Sequence, residues 1–141
     1  MAVDGSKYSD SVVDYACELA SRMKEKLGLI YVSKNPDFVT EYIEYGGRAP
    51  SANAQRTVSI AESVTSKLGE KIAGRGIEHE LILDSGSPSE KIVSTAVERK
   101  CDLIVIGLKG LHGVERIRSL GSVSRRVVEN SPCPVVIVTR E

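Results

Sequence analysis

Apolar positions along the chain change spacing several times, and each change marks a predicted element. Over residues 9–27, Val12, Ala16, Leu19, Ala20, Met23 and Leu27 recur at three- and four-residue steps, with Lys24, Glu25 and Lys26 on the outer side. This spacing predicts a one-sided helix, entered through the turn Asp4-Gly5-Ser6, capped by Ser9 or Asp10 and ended by Gly28. Leu29-Ile30-Tyr31-Val32 is then a short strand apolar on both faces. A second helix is expected where Val58, Ala61, Val64, Leu68 and Ile72 return to helical steps before Gly74 and Gly76. Ile77-Glu78-His79-Glu80-Leu81-Ile82-Leu83 begins by alternating, as a strand near a sheet edge does.

Gly86-Ser87-Pro88 opens a third helix. Ser87 is placed to cap it, Pro88 suits the first helical position, and Glu90 completes a capping box. Its buried face is expected to be Ile92, Val93, Ala96 and Val97. Leu103-Ile104-Val105-Ile106 is the most uniformly apolar strand. After Gly121-Ser122 a short helix carries Val123, Val127 and Val128, and Pro132-Cys133-Pro134 separates it from the last strand, Val135-Val136-Ile137-Val138. At the start, Met1-Ala2-Val3 forms only the end of a strand, shorter than the ~5–6 residues that are typical. Strands alternating with helices predict an α/β fold, a parallel sheet with helices on both faces. The 141 residues form one domain, residues 1–141. The irregular stretch 33–51, with Phe38, Tyr42 and Tyr45, is long for a compact domain. A lid over a ligand and a crossing that contacts a partner are both open there.

Charge narrows the classes of partner. Lys plus Arg and Asp plus Glu each number 19, a formal net charge of zero, so no global field attracts nucleic acid or an anionic membrane. Cys17, Cys101 and Cys133 have neither CxxC nor Cys/His metal spacing, and ordinary packing is preferred to a disulfide. No apolar run approaches the ~20 residues that cross a bilayer, and Met1-Ala2-Val3-Asp4 lacks a signal-peptide core. A cytoplasmic protein is expected.

Chemistry concentrates after the fourth strand. Gly107-Leu108-Lys109-Gly110, followed later by Gly121-Ser122 at a helix start, would place backbone N–H groups and a positive helix end around one point, suited to a small anion. Lys109, Arg116, Arg118, Arg125 and Arg126 surround it against the single acid Glu115. The alternative is turn geometry alone, with glycines permitting a bend and a close helix. Ligands in open parallel sheets bind beyond the carboxyl strand ends, where the strand order reverses. Asp4 and Gly107 would flank that crevice if their strands are neighbours. The spacing matches neither GxxxxGK[ST] nor GxGxxG. His79 and His112 are read as lone histidines, and Asp4 and Asp84 as acids able to hold Mg²⁺ through water and phosphate oxygens. No catalytic set assembles.

Ala-Val-Asp-Gly-Ser at 2–6, Ile-Tyr-Val at 30–32, Gly-Ser-Pro at 86–88, Asp-Leu-Ile-Val-Ile-Gly at 102–107, Gly-Ser-Val at 121–123 and Pro-Cys-Pro-Val-Val-Ile-Val at 132–138 together resemble the universal stress protein family. The resemblance implies a single-domain Rossmann-like fold of the adenine nucleotide alpha hydrolase type, five-stranded with order 3-2-1-4-5. It also implies dimers through antiparallel pairing of the last strands, here Val135 to Val138. In one branch of the family a Gly-x-x-Gly, nine residues, Gly-Ser/Thr motif binds ATP. Carried over by position, Asp4 and Val32 would hold adenine, and Gly107, Gly110, Gly121 and Ser122 the phosphates, with Lys109, Arg116 and Val123 beside them. The expected cofactor is ATP, with AMP or ADP as alternatives and Mg²⁺ through the phosphates.

The interval from Gly110 to Gly121 here holds ten residues, not nine. An unabsorbed extra residue would move Gly121 by up to ~3.6 Å, more than a hydrogen bond tolerates. The expected function is nucleotide binding in stress response or signalling, with an unidentified protein partner. The competing class is a dimeric interaction module of the same fold that takes no nucleotide. Catalysis extends at most to a slow ATPase.

Overall fold

The computed structural model describes residues 1–35, 52–110 and 119–139. The elements are β1 (Ala2–Val3), α1 (Ser9–Met23), β2 (Leu27–Ser33), α2 (Ala52–Ala73), β3 (His79–Ser85), α3 (Pro88–Glu98), β4 (Ile104–Gly107), α4 (Ser122–Asn130) and β5 (Val135–Val138). The five strands form one parallel sheet of order β3-β2-β1-β4-β5, the α/β architecture that the sequence pattern predicts and the strand order that the resemblance implies. Most of the 33–51 stretch, from residue 36 onward, lies outside the described residues, as do residues 111–118 with His112 and Arg116.

Alternation along each strand divides the core between the two faces of the sheet. Val3, Leu29, Val105 and Val138 pack with Val12, Val13, Ala16, Leu68 and Ile72 beneath α1 and α2. Ala2, Ile30, Ile104 and Ile106 pack with Ile92, Ala96 and Val127 beneath α3 and α4. Neighbouring side chains of a strand point to opposite faces, so an uninterrupted apolar run fits a strand covered on both sides. β3 is an edge, with Glu80 and Leu81 exposed, which explains its partly alternating sequence.

Several boundaries differ from the periodicity. α1 stops at Met23 because Lys24 takes a left-handed conformation, φ 59°, and its N–H bonds the Ala20 carbonyl. Leu27 and Gly28 therefore belong to β2, in register with His79 and Glu80, so Gly28 does not end the helix. The residue that caps α1 by position is Tyr8, without a side-chain cap bond. Ser9 Oγ instead accepts the Gly5 N–H at 3.1 Å, and Asp4 Oδ1 accepts the Ser6 N–H at 3.0 Å. Ser87 and Pro88 take the predicted cap and first positions of α3, but no side-chain cap bond forms. Val97, at 57% exposure, and Val128, at 45%, lie off the stripes defined by Ile92, Ala96 and Val127. In each case the residue one step on is turned about 100° from its buried neighbour.

Charges fasten α1 to α2 along their outer faces. Asp10 meets Lys67 at 3.2 Å and Lys71 at 3.4 Å. Asp14 meets Lys71 at 2.9 Å and also pairs with Arg75. The Lys67 hydrogen bond, supported by Lys71, holds the Asp10 carboxyl below its ordinary value despite some desolvation. Burial opposes the charge on Lys71, but Asp14 and Asp10 outweigh it and raise its pKa. A lowered carboxylate pKa stabilises the fold above the unfolded value and stops doing so as pH falls through the folded one.

Two outcomes follow. Ile72→Ala, which truncates a side chain with no exposure, should cost about 2–5 kcal/mol in urea unfolding. Asp10→Asn should cost less than about 1 kcal/mol at neutral pH, because the pair is largely exposed. That difference should shrink toward zero as acid protonates Asp10 in the folded protein.

Candidate functional site

Because β1 lies between β2 and β4, the crossovers leave in opposite directions at the β1–β4 boundary, where such sheets bind ligands. A crevice of about 450 Å³ opens there, lined by Asp4, Val32, Gly107, Lys109, Gly110, Gly121, Ser122 and Val123 among others. All of the sequence-predicted site residues that are described thus come together. Arg116 lies outside the described residues.

Close backbone approach explains the glycines better than turn geometry does. The described glycines with positive φ are Gly5, Gly76 and Gly86, and none belongs to the glycine stretch. A Cβ on Gly107 would lie 2.7 Å from Tyr8 Cβ, and one on Gly110 would strike Asp4 Oδ2. A Cβ on Gly121 would sit 3.3 Å from Lys109 Cα. The Gly121 N–H also donates to the Leu108 carbonyl at 2.9 Å, and the Leu108 N–H to the Val138 carbonyl at 2.9 Å. Gly121 is therefore seated on the backbone that leaves β4, and the ten-residue interval does not displace it from that strand end.

The two ends of the crevice differ in polarity. On the β2 side, Ile30 N–H donates to the Met1 carbonyl, so ladder alternation turns Val32 toward β1 as well. Gly5, whose N–H would make the next rung, donates to Ser9 Oγ instead, and this leaves the Val32 carbonyl facing the crevice. On the other side stands the first turn of α4, whose leading N–H groups have no intrahelical acceptor and carry the positive end of the helix dipole. Lys109 is 9% exposed at the same end. Burial and the nearby Asp4 charge push the Tyr31 phenol above its ordinary pKa, so its O–H stays neutral at physiological pH.

Asp84 lies elsewhere. It is in register with Val32 on β3, where it accepts the Ser85 N–H at 2.7 Å and pairs with Lys91 at 3.1 Å. His79 rests against α2, with Nδ1 3.3 Å from the Ile77 carbonyl. Among the described residues no group of three or more His, Cys, Asp or Glu is arranged to hold a metal. Two contributors escaped the sequence reading. Tyr8, 7% exposed, packs on Gly107, and Ser124, 3% exposed, donates from Oγ to the Gly107 carbonyl at 2.7 Å. For Ser124 a signal existed, since it stands three residues before Val127 on the buried stripe of a short helix.

Comparison with known proteins agrees with this geometry. The universal stress protein YxiE of Bacillus subtilis is 30% identical over 142 residues, covering 98% of this chain and 95% of its own. The universal stress protein UspA from Lactobacillus plantarum superposes with a TM-score of 0.78 at 21% identity, over 98% of this chain and 94% of its own. A universal stress protein solved in complex with cAMP gives 0.68 at 26% identity, over 98% and 92%. Residues 1–139 match the universal stress protein family, and the chain belongs to that family.

Proposed function

We propose that the chain binds an adenine nucleotide in the β1–β4 crevice and acts through that occupancy in stress response or signalling. ATP is the expected ligand, and AMP or ADP are the smaller alternatives. The observation that carries this reading is the convergence of the Gly107, Gly110 and Gly121 backbones, Asp4 and the start of α4 on one crevice. The cAMP complex of a relative supports it. Adenine would lie toward the Val32 carbonyl and Asp4. The phosphates would lie against the Gly107, Gly110 and Gly121 backbones and the amides of Ser122 and Val123, with Lys109 and Arg116 supplying positive charge. Mg²⁺ would be held through phosphate oxygens and water, since such ions need few protein ligands.

The competing reading is an interaction module without nucleotide, favoured by the ten-residue interval. The seat of Gly121 on Leu108 argues against the displacement on which that reading depends. We also propose a cytoplasmic homodimer paired through β5, with a protein partner whose identity is open. Among the described residues β5 is an edge of the sheet, with Val135, Val136 and Ile137 only partly buried, and such apolar edges favour strand addition. Beside it an open hollow of about 910 Å³ runs along α1, floored by Val136 and Val138 and flanked by Tyr15. Among the described residues no helix is long and apolar enough to cross a membrane.

ATP or AMP at 100 times its Kd should stabilise the protein by ~2.7 kcal/mol in thermal unfolding; an unchanged melting point supports the module instead. Gly110→Val should abolish that shift while leaving the unliganded melting point nearly unchanged, because the added side chain meets the Asp4 carboxylate at an exposed position. Light scattering at micromolar concentration should report a dimer, and a monomer there removes the β5 pairing.

A further inference from the structure

We infer that Ser124 is a positioning residue that withdraws a carbonyl acceptor from the phosphate end of the crevice, an inference that rests on the nucleotide reading above. Gly107 ends β4 and lines the crevice together with Ser124. Its carbonyl accepts the Ser124 hydroxyl at 2.7 Å in a buried setting. The next carbonyl, that of Leu108, accepts the Gly121 N–H at 2.9 Å. The Gly107 and Leu108 carbonyls are thereby both committed, one to a side chain and one to an amide.

Donor character at that end comes from the N–H groups opening α4, which have no intrahelical acceptor. Solvent screens charge less in a partly buried site than in bulk water, so an uncommitted carbonyl would oppose an anion there. At the opposite end the Val32 carbonyl lacks its next ladder rung, since Gly5 donates to Ser9 Oγ. An acceptor therefore remains where a base amine would approach, and the Gly107 carbonyl is occupied where phosphate would sit. Ser124 acts on the site through the Gly107 carbonyl.

An anchoring role alone would weaken every ligand alike, so the test compares ligands that differ only in phosphate. AMP and adenosine are titrated into the full chain by calorimetry and ligand-observed NMR. Ser124→Ala should weaken AMP about tenfold while changing adenosine by less than about twofold, from the loss of one buried hydrogen bond and exposure of its acceptor. Ser124→Thr, which keeps the hydroxyl, should restore AMP binding to within about threefold of wild type. Ser124→Cys, close in size with a weaker donor, gives the same comparison with a smaller loss if the alanine variant does not fold. Equal losses for AMP and adenosine, or an unchanged AMP affinity, overturn the role of Ser124 and leave the nucleotide reading standing. A wild-type chain that binds neither ligand overturns both.

Discussion

The absence of three β-carbons allows the end of β4 to close. At Gly107 the backbone lies against Tyr8, at Gly110 against the Asp4 carboxylate, and at Gly121 against Lys109 and the Leu108 carbonyl. Any side chain at the first of these would separate β4 from the helix that follows β1, because the atom it meets is a Cβ, which cannot swing away. At Gly110 the obstacle is a short carboxylate, so a side chain there would leave the sheet intact and move Asp4. The same close packing therefore supports the fold at one glycine and the crevice at the next. The resulting arrangement is a strand end, an acid and a helix start within one pocket at the point where the sheet reverses.

Polarity follows from how the backbone around that pocket is partnered. Side-chain hydroxyls occupy two main-chain groups that a longer ladder would have used. Ser9 takes the Gly5 N–H and Ser124 gives to the Gly107 carbonyl. The first leaves an acceptor on β2, and the second removes one from β4. Buried polar groups are costly unless paired, so these two serines decide which backbone atoms remain for a ligand. The ionic contacts between α1 and α2 are more exposed and contribute little to the core, but they hold the first helix over β1 and β4, from which Tyr8 and Ser9 reach the site.

Much of this arrangement was legible in the sequence. The apolar runs 29–32, 103–106 and 135–138 specified strands buried on two faces, and their alternation with helical stripes specified a parallel sheet. Asp4, Val32, Gly107, Gly110, Gly121 and Ser122, carried over from the family motif, line one pocket, as do Lys109 and Val123 beside them. Boundaries were less legible. Lys24 ends α1 through a left-handed cap that its residue type does not announce, and Leu27 continued the helical spacing while belonging to β2. The glycines were recognised, and for Gly121 a close helix was foreseen, but the approach of Tyr8 to Gly107 and of Asp4 to Gly110 was not, because it arises only from tertiary packing. The partner of Ser124 was hidden for the same reason, since it is a carbonyl 17 positions away. The effect of the longer interval before Gly121 was likewise not readable from spacing, because the bond to Leu108 fixes its end.

The most direct measurement is an amide-resolved NMR titration of the chain with AMP. Saturable shifts should concentrate at Val32, Gly107, Lys109, Gly110, Gly121, Ser122 and Val123. Shifts confined to another surface, or none at millimolar nucleotide, would contradict a nucleotide site at the end of β4.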